Sequence, residues 1–285
     1  MKLRGIYAGR PALFQLALLI GLTLAGTLVS GVITLVFDLE GGTQSPETLR
    51  LIQTVSAICV FLAPAVLVAL LCSKEPAEYL SVRSFPTIEI TLLTFAGVLL
   101  LSPTITLTGV LNEGIKLPPF LEQLEEEIEQ LTTILLSDTG VMAIIFNLLV
   151  IAVLAAITEE FFFRGVLQQI VGRWIRNHHV VIWSVAFIFS AIHFQFSGLI
   201  PRLLLGAYLG YLLYWSKNIW LPILAHFCNN ALAVIGMADS DLRENSYISG
   251  KIPESEMLVF VGITILTFIL FCYVTYLFRK RILRD

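Results

Sequence analysis

The chain alternates long apolar runs with short polar connections. Runs long enough to cross a bilayer, about 20 residues each, fall at roughly 11–37, 50–72, 87–111, 140–172, 180–197, 201–216, 219–237 and 257–278. This pattern predicts an all-α, polytopic membrane protein of about eight transmembrane helices. Between the third and fourth runs, Leu117-Pro118-Pro119-Phe120 opens a segment of different character. There Phe120, Leu121, Leu124, Ile128, Leu131 and Leu135 recur at helical spacing, while Glu122, Glu125, Glu126, Glu127 and Glu129 fall mostly elsewhere. Prolines suit a helix start, and the two-faced pattern predicts one amphipathic interfacial helix over 117–137. Its expected place is the outer membrane surface; a lid or substrate contact is the alternative.

Composition supports the bilayer reading, with 57% hydrophobic and 14% charged residues and a mean hydropathy of +0.86. With 285 residues and short connections, the chain is read as a single membrane-embedded domain, 1–285. A net charge of -3 argues against a nucleic-acid partner. Lys2, Arg4 and Arg10 precede an apolar run longer than a signal-peptide core, so the first helix is expected to be retained. The distribution of Lys and Arg predicts cytoplasmic N- and C-termini, with Arg50, Lys116, Arg202, Arg243 and Lys251 left outside. Cys59, Cys72, Cys228 and Cys272 lie scattered in apolar segments, with no spacing for a disulfide framework or thiolate site. Gly206 and Gly210 form a G-x-x-x-G suited to close helix packing. There is no inverted repeat of the kind many transporters carry.

The exceptional feature is Glu159-Glu160-Phe161-Phe162-Phe163-Arg164, because charged groups at membrane depth are costly and tend to be functional. At about 100° per residue, Arg164 lies about 40° from Glu160 but about 140° from Glu159. Glu160 and Arg164 are therefore expected to pair, leaving Glu159 on another face. Its candidate partners are His193, after Phe189, and His226 with Asn230, four residues apart on one helical face. Counting rises from the basic side puts them at depths that can converge if the turn Phe194 to Ile200 stays buried, with short fifth and sixth helices and a long fourth. A Glu, two His and an Asn in a dry pocket suit hydrolysis. Glu159 is the candidate general base, His193 holds the water, and His226 and Asn230 donate to the oxyanion. Glu and His ligands also suit zinc, which Glu159, His193 and His226 would hold, although no H-E-x-x-H helix is present. Each of these residues has a plainer role as a core or bridging group, and Phe189 with the three adjacent phenylalanines reads as packing.

Glu159-Glu160-x-x-x-Arg164, Phe189-x-x-x-His193 and His226-x-x-x-Asn230, in this order, resemble the three motifs of the CAAX protease and bacteriocin-processing (CPBP) family. That family includes type II CAAX prenyl endopeptidases and Abi-type bacterial membrane proteins. The resemblance covers a catalytic core of 141–236. It implies an intramembrane endopeptidase cutting a membrane-associated protein or peptide, with Glu159 and His193 activating water, His226 and Asn230 forming an oxyanion hole, and Glu160, Arg164 and Phe189 in support. No cofactor is favoured; zinc is the rival. Membrane lipid is an expected partner, and the oligomeric state is left open. The compact chain points to a prokaryotic plasma membrane, where a prenylated substrate is not expected. The competing readings are a proton-coupled transporter and a non-catalytic immunity or scaffold protein.

Overall fold

A computed structural model describes residues 3–39, 45–113 and 116–283, and those residues contain helices and no strand. Lys2 lies outside the described residues. The major helices are α1 (Ala12–Leu39), α2 (Pro46–Cys72), α3 (Ile88–Glu113), α4 (Pro119–Leu135), α5 (Val141–Gly172), α6 (His178–Ala191), α7 (Leu199–Ser216), α8 (Trp220–Ala238) and α9 (Glu254–Ile282). Six of them, α1, α2, α3, α5, α8 and α9, are long and apolar enough to cross a membrane. The chain is an integral, multi-pass membrane protein.

The other two apolar runs form shorter helices. α6 has 14 residues, a length of about 21 Å at 1.5 Å per residue, which is less than the hydrocarbon thickness of about 30 Å. α7 has 18 residues, whereas α5 runs for 32. The turn between α6 and α7 leaves Phe194 52% uncovered by protein. Its backbone polar groups need partners. Glu125 of α4 accepts from the Ser197 N–H and hydroxyl, and Asn112 of α3 donates to the Phe196 and Ser197 carbonyls. The amphipathic α4 is thereby tied to the α6–α7 turn. Arg50 and Arg202 stand near the starts of α2 and α7. Arg50 is buried in α2 and donates from Nε to Asn147 Oδ1 at 2.8 Å.

Three stretches wind as π-helix, Ala57–Leu62 in α2 and Leu148–Leu154 and Phe161–Leu167 in α5. The first lies just ahead of Pro64, which has no N–H to continue the α-helical ladder. The two in α5 flank Ala155–Glu160. Close approach of α1 to α2 depends on Gly26, where a Cβ would overlap the Cys59 carbonyl. α8 packs among α3, α5 and α7.

One end of the bundle is knitted and basic. Gly5 and Tyr7 donate to the Leu70 and Leu71 carbonyls, Trp220 and Asn218 to those of Arg83 and Ser84. Arg281 near the end of α9 pairs with Glu89 at 2.8 Å. The glutamates of α4 lie at the other end.

Candidate active site

A buried ionic cluster joins α5 to α8. Glu160 and Arg164 are fully buried and pair at 2.7 Å, from Arg164 Nη1 to Glu160 Oε1. The same oxygen is 2.9 Å from His226 Nδ1. Arg164 Nη2 donates to the Gly206 carbonyl of α7 at 2.7 Å. Glycine at 206 permits this approach, because a Cβ there would meet the Phe189 ring at 3.1 Å. Glu160 therefore does more than pair with Arg164. It also holds one nitrogen of a histidine that lies 66 positions further along the chain.

Glu159 faces the other nitrogen of that histidine. His226 Nε2 is 4.0 Å from Glu159 Oε2, and the Glu159 side chain is 14% exposed. Its Oε2 is buried and has no hydrogen-bond partner among the described residues. A separation of 4.0 Å is too long for a hydrogen bond and suits one intervening water. The charges of His226, Glu160, Arg164 and Arg202 all reach Glu159.

The local structure explains why the two carboxylates differ. Both sit at the end of the α-helical stretch Ala155–Glu160, just before the π winding begins at Phe161. Successive residues there point about 100° apart, so one acid enters the α7–α8 side with Arg164 and the next faces the accessible side.

His193 and Asn230 are near but differently engaged. His193 Nδ1 contacts the Phe189 carbonyl one turn earlier at 2.8 Å, and the charges of Arg202 and His226 reach the ring. Among the described residues His193 forms no ion pair with Glu159. Asn230 Nδ2 donates to the Ile151 carbonyl at 2.9 Å, and its Oδ1 accepts from Asn229. Ile151 lies in the π-wound segment Leu148–Leu154, where the usual i→i−4 pairing of carbonyls is disturbed. Asn230 thus bridges α8 to α5.

Phe189 connects these parts. It is buried, meets His193 at 5.2 Å and His226 at 5.7 Å edge-on, and carries the Arg164 guanidinium 4.7 Å above its ring. Its ring face can stabilise the cation. Two participants are not apparent from the motifs: the Gly206 carbonyl and Arg202. The G-x-x-x-G pattern marks the close approach at Gly206 but not the carbonyl acceptor. Arg202, in the first turn of α7, comes within reach of the Glu159 and Glu125 charges through the α6–α7 hairpin.

Among the described residues, no group of three or more His, Cys, Asp or Glu side chains is arranged to hold a metal ion. His226 keeps Nε2, the nitrogen facing Glu159, uncommitted, while Glu160 holds Nδ1.

Residues 141–232 match the family model described as type II CAAX prenyl endopeptidase Rce1-like. The matched segment contains all three motifs, and the family is the one they resemble. The chain is also similar to YpbD, an uncharacterized protein of Bacillus subtilis (strain 168), with 30% identity over 123 residues, covering 40% of this chain and 60% of the relative. The chain thus spans about 60% of the length of that curated relative. No solved structure matches it significantly.

Proposed function

We propose that the protein is an intramembrane endopeptidase that hydrolyses a peptide bond of a membrane-associated protein or peptide, with Glu159 as the general base. The observation that carries this reading is the buried, unpartnered Glu159 Oε2 facing His226 Nε2 at 4.0 Å, with the histidine's other nitrogen held by Glu160. The Rce1-like match over 141–232 supplies the reaction class.

Water placed between Glu159 and His226, with His193 as a further contact, gives a proton to the Glu159 carboxylate as its oxygen bonds to the scissile carbonyl carbon. The carbonyl electrons move to oxygen. As the C–N bond breaks, Glu159 returns the proton to the amine. His226 donates to the oxyanion from Nε2. Because Nδ1–H already serves Glu160, this donation requires the imidazolium form. Asn230 can add its second amide hydrogen to the oxyanion without breaking its bond to Ile151.

The test is cleavage of a library of membrane-associated peptides by the purified full chain in proteoliposomes, read as new termini by mass spectrometry. The reading expects products that disappear with His226→Ala. Absence of products together with Glu159-dependent solute uptake would overturn it in favour of a transporter.

A further inference from the structure

We propose that the cavity of ≈ 390 Å³ between α5, α6 and α7 at the basic end of the bundle binds the phosphate headgroup of an anionic phospholipid. This site is separate from the Glu159 cluster and does not depend on its chemistry. Its wall includes Arg173, Arg176 and Lys217, with His178, Ser81 and Gln168, and no lining residue is acidic. None of the three cations forms an ion pair among the described residues. Arg173, Arg176 and Lys217 are exposed around one open hollow; cations gathered in this way repel one another, and an anion relieves that repulsion.

The backbone is shaped to keep them there. Ser81 and Lys217, both lining the cavity, have positive φ values of 56° and 52°. Lys217 occupies the left-handed position just after α7, where glycine is usual. A lysine in that position retains a cation at the expense of the easier backbone. Burial, and then the charge of Arg83, hold the Lys217 ammonium below its ordinary range, as expected for a cation lacking its counter-ion. Lys217 also lies 4.6 Å over the Tyr214 ring, which stacks on His178 at 4.2 Å. Gln168, only 8% exposed, donates to the Gly210 carbonyl but leaves Oε1 without a partner. A headgroup hydroxyl is a suitable donor for it.

The surroundings favour a lipid over a soluble anion. Val181, Ile182 and Leu213 form an apolar part of the same wall, on which a glycerol backbone and acyl chains can continue. Trp174, between the two arginines, is 47% exposed, as is common at the headgroup level.

The experiment titrates the purified full chain in detergent with dioctanoyl phosphatidylglycerol, dioctanoyl phosphatidylcholine and inorganic phosphate, counting bound molecules by native mass spectrometry. Saturable binding of one phosphatidylglycerol, at least about tenfold tighter than phosphatidylcholine, is expected. The combined variant Arg173→Gln/Arg176→Gln/Lys217→Gln should lose that preference, whereas Arg4→Gln/Lys280→Gln, outside the cavity, should keep it. Lys217→Gly, which suits the left-handed backbone, should fold normally and still bind several-fold more weakly. Equal loss in the two combined variants, or normal affinity in Lys217→Gly, would overturn the assignment as general surface attraction. Inorganic phosphate binding as tightly as phosphatidylglycerol would overturn the choice of a lipid.

Discussion

Two neighbouring acids, Glu159 and Glu160, lie on either side of one histidine and have different neighbours. Glu160 Oε1 accepts from Arg164 and contacts His226, so removing its charge leaves a buried guanidinium without its counter-ion. Breaking a buried pair in this way typically costs about 3–5 kcal/mol. Glu160→Gln should therefore lower the thermal midpoint of the purified protein clearly, while Glu159→Gln should leave it nearly unchanged because Glu159 Oε2 has no partner to lose. Differential scanning fluorimetry of the two variants side by side checks this. A larger loss in Glu159→Gln would contradict the division of roles. The i, i+4 spacing of Glu160 with Arg164 was legible in the sequence, because helical periodicity sets local neighbours. The contact of Glu160 with His226 was not, because it joins residues far apart in the chain and depends on how α5 and α8 rotate against each other.

At the level of elements, interruptions of regular helix bring the site together. The π winding at Phe161–Leu167 follows directly on Glu160, and that at Leu148–Leu154 presents the Ile151 carbonyl to Asn230. Such irregularities leave little trace in an apolar sequence. The glycines leave more. Gly206→Val would press a branched side chain toward the Phe189 ring and the Ala186 Cα; overpacking of this kind costs about 1–3 kcal/mol. It should also reduce cleavage, since Phe189 touches Arg164, His193 and His226. A thermal melt and an activity assay on the same preparation test both effects, and unchanged values in both would refute the packing argument. Amphipathicity revealed α4, but its hold on the α6–α7 turn is a long-range contact through Glu125 and Ser197. Glu125→Ala should change global stability by less than about 1 kcal/mol, as for an exposed polar contact. It should nevertheless speed amide exchange over 194–198, measured by hydrogen–deuterium exchange. Unaltered exchange there would mean that α4 does not restrain the turn beside His193.

For the whole molecule, the apolar runs disclosed an all-α membrane protein, and run length alone distinguished the long α5 from the short α6 and α7. The anchoring of the α6–α7 turn was not legible, because the polar partners of its backbone come from α3 and α4, far away in the chain. The arrangement also bears on metal dependence. If Glu159 activates the water without a metal, as proposed, peptide cleavage is expected to persist after exhaustive chelation and gel filtration, with metal content measured by mass spectrometry. Loss of cleavage on chelation, restored by zinc, would contradict water activation by Glu159 alone. The most direct measurement is the single-turnover cleavage rate of a membrane-associated peptide by the wild-type chain and by Glu159→Gln, both reconstituted and shown to be folded. The wild type should cut the peptide, and the variant should be slower by at least about 10²-fold, the scale of a lost general base. Equal rates would contradict the assignment of the chemistry to Glu159.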